Sequence, residues 1–139
     1  MENQLKLSEY QESLTLQKDG APIALGSATF YIRRSGTKDS KKLVRDLQMQ
    51  IFGPFHRMQE EDDLLLRAHW LVEYGCASWQ GLFNEDDSAL PYSQEAARKV
   101  FLNPEYHLSL NAVLWMAAHN FENYLHEQAE EDLEQIKKK

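Results

Sequence analysis

Three carboxylates stand together in "WQGLFNEDDSALPYSQEAARKVFLNP", the stretch from Trp79 to Pro104: Glu85, Asp86 and Asp87. Side chains of this kind hold divalent cations or exchange protons. An EF-hand calcium loop needs oxygens at alternate positions and glycine at the sixth. Counted from Asn84, the sixth residue is Ala89 and the oxygens are consecutive, so a solvated turn is the better reading. Glu60, Glu61, Asp62 and Asp63 are also consecutive. On a helix they point in four directions and cannot converge on one atom, but they suit the positive end of its dipole.

His119, Glu122 and His126 offer a different pattern. Their spacing lets them share one helix face. A metal would need further ligands from elsewhere, and no HExxH-like pattern provides them. His56, His69 and His107 have no partner by spacing. The single cysteine, Cys76, reads as lying on the apolar side of a helix, where thiols are inert. No GxSxG motif occurs, and the six glycines form no phosphate loop. No catalytic residue, cofactor or metal site is expected. The aromatics Trp79, Phe83, Pro91 and Tyr92 read instead as a loop anchored on helices.

The elements around these residues follow from periodicity. Residues 1–12 are polar and read as a flexible N-terminus. "SLTLQKDGAPIALGSATFYIRR" alternates from Ser13 onward, with Leu14 and Leu16 on one face and Ala28, Phe30 and Ile32 on one face. Lys18-Asp19-Gly20 is a turn signal, and Gly26-Ser27 marks a bulge or second turn. The expectation is a β-hairpin or meander. Leu43, Val44, Leu47 and Ile51 mark a helix that Gly53-Pro54 stops. A second helix carries Met58, Leu65, Leu71, Val72 and Cys76, and ends at Gly75 or runs on to Trp79. Ser93 is placed to cap a third, with Ala97, Val100 and Phe101 inside. Asn103-Pro104-Glu105 starts a last helix reaching the 130s, roughly 45 Å at 1.5 Å per residue. The fold class is therefore mainly α, of α+β type: a hairpin or meander, then about four helices, the last one long. Residues 13–126 form the globular domain and 127–139 a charged helical tail.

The chain's 139 residues fit one domain. Its formal net charge of −7 disfavours nucleic acid and anionic membranes as partners. Arg33, Arg34, Lys38, Lys41, Lys42 and Arg45 form a basic segment against that background, read as a solvated face or a complement to an acidic partner. One cysteine fits a reducing compartment. The N-terminal residues lack the apolar region of a signal peptide, and no apolar run is long enough to span a membrane.

The order Trp79-x-Gly81-Leu82-x-Asn84, then Ala89-Leu90-Pro91-Tyr92-Ser93, Glu95 and Ala96, resembles the C-terminal half of tail assembly chaperones of long-tailed, siphovirus-like bacteriophages. The resemblance covers about Leu64 to Phe121. Where the family commonly carries glycine before the Leu-Pro pair, Ser88-Ala89 stands here. The resemblance implies a non-enzymatic morphogenesis factor of the host cell cytoplasm, absent from the mature virion. Its partners would be the tape measure protein and, through a longer form made by programmed frameshift, the tail tube protein. Lys137 to Lys139 would then mark the slip site. Phe121, Tyr124, Leu125, Leu133 and Ile136 are the candidate partner-binding residues, and self-association into a homo-oligomer is expected. Two alternatives stand beside this one: a generic acidic protein-binding adaptor or regulator, and a small metal-dependent enzyme using His119, Glu122 and His126.

Overall fold

The computed structural model of the protein describes residues 4–125. Five helices surround a three-stranded antiparallel sheet of order β1-β2-β3, a mixed α+β architecture. The first helix lies where the sequence reads as a strand: α1 spans Leu14–Asp19. Its ends explain the correction. The Ser13 side chain accepts from the Leu16 N–H, and Gly20 closes the helix at φ 98°. Lys18-Asp19-Gly20 is thus a helix end rather than a hairpin turn. Leu16 is buried while Leu14 is exposed, so the two do not share a face.

The hairpin proper pairs β1 (Ala21–Leu25) with β2 (Ala28–Ile32), with Leu25 opposite Ala28. Gly26-Ser27 is the two-residue turn, with positive φ at Gly26 alone, the type II′ pattern. Ala28, Phe30 and Ile32 face the core together. The third strand, β3 (Cys76–Gln80), occupies residues that read as the end of a helix. It pairs with β2 through a bulge that sets Ile32 against Cys76 and Phe30 against Trp79. Two buried residues three apart imitate a helical period, and that spacing misled the sequence reading. Cys76 is therefore on a strand.

Helix α2 spans Lys38–Ile51, capped by Thr37, and α3 spans Glu60–Trp70, capped by Gln59 with Asp62 returning the bond. One wide helical turn, Leu71–Gly75, leads from α3 into β3. The core joins Phe30, Ile32, Leu47, Trp70, Leu71, Trp79, Phe101 and Leu114. Trp70 lies at its centre: its indole N–H donates to Ser40 Oγ at 3.0 Å, and it meets the Trp115 ring edge-on at 5.1 Å.

Helix α4 spans Gln94–Phe101, with Ser93 Oγ accepting from the Ala96 N–H. The long final helix does not form as one rod. Asn103 caps only a short turn, Pro104–Tyr106. Helix α5 begins at Leu110 and ends at His119. There Asn120 turns extended and its side chain caps a new turn, Phe121–Tyr124. Asparagines compete for backbone donors in this way and interrupt helices. The proposed tail, residues 127–139, lies outside the described residues. Glu12 belongs to the fold rather than to a loose lead-in: it bridges to Leu125, and its carboxylate accepts from Arg34 at 2.7 Å.

Candidate functional site

The acidic stretch is a tight hairpin end. The Asn84 N–H donates to the Ser88 carbonyl, the Leu90 N–H donates to the Leu82 carbonyl, and Phe83 bridges to Ala89. Asp87 sits at φ 68°, the left-handed position such loops require. Asp86 accepts from the Ser88 hydroxyl and N–H, which holds its carboxyl below the usual range. The three carboxylates are thus exposed loop chemistry, with Asp86 serving the turn. Trp79 fixes the returning arm: it is buried, and its indole N–H donates to the Leu90 carbonyl at 2.8 Å. The Tyr92 ring lies tilted against it, centroids 5.0 Å apart. Phe83 and Pro91 depart from the anchoring expected of them, since both are exposed.

Phe83 instead lines a groove of about 610 Å³ between this loop, α4 and the start of α5. Leu82, Leu90, Val100, Tyr106 and Leu110 complete its apolar wall. Leu110 continues the wall onto α5, where Val113 and Met116 follow at three-residue steps on the same face. Val113 is 45% exposed and Met116 70%. Helix α5 contains no Asp, Glu, Lys or Arg, so this outward stripe has no charge to solvate it. An exposed apolar stripe beside an apolar groove is the kind of surface that interaction sites present, which makes this face the candidate site.

Comparison with family models, curated proteins and solved structures returns no match.

The candidate partner-binding residues divide. Phe121 is exposed and stacks on Tyr10. Tyr124 is a correction: it is fully buried, and its hydroxyl donates to the Ile32 carbonyl at 2.7 Å. Burial pushes that hydroxyl's pKa up. It therefore fastens the turn Phe121–Tyr124 to the sheet and is closed to a partner. Leu125 is half-buried beside Glu12, while Leu133 and Ile136 lie outside the described residues.

The histidine set is not assembled among the described residues. His119 uses Nδ1 on the Trp115 carbonyl at 2.7 Å, Glu122 is exposed, and His126 lies outside. No group of three or more His, Cys, Asp or Glu among the described residues is placed to hold a metal. His56 contacts Asp62 at 2.7 Å, a bond that with the Gln59 N–H lowers the Asp62 carboxyl. His69 is shifted down by burial. Cys76 is buried, and burial pushes its thiol up to about 12, far from a reactive thiolate.

The basic segment splits in two. Arg33 donates to the carbonyls of Lys18 and Tyr74, and Arg34 to Glu12 and the Ala118 carbonyl. These arginines tie α1, β2 and α5 together. Lys38, Lys41, Lys42 and Arg45 remain exposed on α2. No residue type alone would have exposed the groove or the α5 stripe. The sequence signal was the charge-free run from Leu108 to Ala118, which is also what a buried helix looks like.

Proposed function

We propose that this chain is a tail assembly chaperone of long-tailed bacteriophages, a non-enzymatic protein that holds the tape measure protein and promotes tube assembly around it. The observation that carries the reading is the groove running into the uncharged outer face of α5. An amphipathic helix lays its apolar face into such a groove, with anchors at three- and four-residue steps. A tape measure protein, long and helical with exposed apolar surface, is a client of that form. The exposed thioether of Met116 and rings of Phe83 and Tyr106 adapt to varied apolar side chains, as a client of changing sequence requires. The resemblance of "WQGLFNEDDSALPYSQEAA" to that family supports the same reading. The proposal extends to action in the host cytoplasm, to a longer frameshifted form engaging the tube protein, and to self-association.

Co-expression tests it. The candidate client is the tape measure protein of the same phage, and the readout is its soluble yield with and without this chain. The wild-type chain should raise the yield several-fold. Val113→Asp with Met116→Lys should abolish the gain while leaving the chain's melting temperature unchanged, because both positions are exposed. An equal yield with and without the chain contradicts the proposal.

A further inference from the structure

Of the three loop carboxylates, Glu85 is the one that the turn does not use. Asp86 accepts from the Ser88 hydroxyl and N–H, and Asp87 holds the left-handed position at φ 68°. Glu85 shares in neither, is exposed, and lines the groove with Leu82 and Leu90. Among the described residues none of the three is in an ion pair. Nor does the nearby sequence neutralise them, since no Lys or Arg stands between Arg67 and Arg98. The loop rim therefore carries uncompensated negative charge beside an apolar floor. The α4 rim differs. Lys99 lines the groove there, and its ammonium lies 3.9 Å from Glu95 on the preceding turn, so that side is close to neutral.

We propose that the groove selects amphipathic helices with Lys or Arg along one flank of their apolar stripe, that flank being set against Glu85, Asp86 and Asp87. This selectivity rests on the reading of the groove as the client-binding face, and gives the client a charge pattern as well as an apolar one. A helix with its side chains is about 10–12 Å across, too wide to sink into a cavity of about 610 Å³. Its anchoring side chains enter while its axis rides above, which brings the flanks of the stripe level with the two rims. Basic side chains suit the loop rim because their alkyl stems cover apolar surface while the charged heads reach the carboxylates. Exposed pairs of this kind are individually weak, so they sort one apolar helix from another rather than hold it. Acidic flanks are turned away by like charge.

Peptide titration of the full chain tests it. Three helical peptides share one leucine stripe at i, i+3, i+4 and i+7 and differ along one flank, which is lysine, glutamine or glutamate. Fluorescence anisotropy reads the affinity, and shifts of the Leu82, Val100 and Leu110 amides read the seat. The lysine peptide should bind about three- to tenfold tighter than the glutamine peptide, the effect of two or three exposed ion pairs, and the glutamate peptide weaker than both. At about 1 M salt, where the screening length is about 3 Å, the three should converge. Glu85→Lys with Asp87→Asn removes the loop's net charge, spares the turn bonds of Asp86 and keeps at position 87 a side chain that tolerates positive φ. That variant should erase the preference. Glu60→Lys with Glu61→Gln makes the same change of charge on the first turn of α3 and should leave the preference in place.

Equal affinities with the groove amides shifted would overturn the charge rule and leave the groove reading standing. No shift at those amides with any peptide would overturn both. A preference lost equally in the Glu60 and Glu61 variant would reduce it to net charge and overturn it too. Concentration-dependent shifts of the same amides without peptide, removed by K41E with K42E, would give the groove to a second copy through the cations of α2 and so contradict the proposal.

Discussion

Trp79 stands buried at the base of the acidic loop. An aromatic placed before a charged loop anchors that loop, and here it does so by packing on Phe30, Phe101 and Tyr92 and by donating to Leu90. Trp79→Ala should cost about 3–5 kcal/mol in denaturant unfolding, the range for a large buried aromatic. Trp79→Phe keeps the ring contacts but leaves the Leu90 carbonyl unpaired, and should cost about 1–3 kcal/mol. Asp87 gives a second expectation. At φ 68° a β-branched side chain is strained, so Asp87→Val should destabilise by about 1–2 kcal/mol, whereas Asp87→Gly should stay near wild type. Equal midpoints for the two variants would show that the turn does not hold Asp87 in this conformation. The caps at Ser93 and Asn103 were legible because one side chain bonding its own backbone is a local event. Trp70 and Tyr124 were not, because their positions depend on Ser40 and Ile32, distant in sequence.

At the scale of elements, sequence period and structure part where a two-residue repeat is broken. The bulge in β3 places Cys76 and Trp79 on one face with a three-residue step, so a strand imitates a helix. Helix α1 is too short for its period to show, and its Ser13 and Gly20 ends were its only readable signals. The hairpin face of Ala28, Phe30 and Ile32 was legible, since five paired residues hold a clean alternation. The joint between α3 and β3 depends on Gly75. A Cβ there would overlap the Trp70 ring, at the centre of the core. Gly75→Ala should therefore cost about 1–3 kcal/mol, as overpacking does, and should perturb the Trp70 fluorescence environment. A variant as stable as wild type would mean that the wide turn at Leu71–Gly75 relaxes freely.

For the whole molecule, burial of ionisable groups fixes a pH window. Cys76 is raised from 9.0 to about 12, and Tyr92 and Tyr124 are raised from 10.0, each chiefly by burial. Folding favours the protonated form of each. That stability is fully present below the ordinary values and is lost as pH rises through the folded ones. Unfolding midpoints should therefore fall as pH climbs above about 9, and Cys76→Ala should flatten the fall. A midpoint constant across that window would contradict the burial of these groups. What no local pattern disclosed is the molecule's outer surface: an apolar helix reads alike whether another element covers it or not. The central claim is that the groove and the α5 stripe hold a tape measure protein. Photo-crosslinking tests it most directly, with a benzophenone side chain placed at Met116 and, as control, at Lys42 on the opposite surface chemistry. In cells making both proteins, the account predicts a crosslinked adduct with the tape measure protein from position 116 and none from position 42. Adducts absent at 116, or equally strong at both positions, would contradict it.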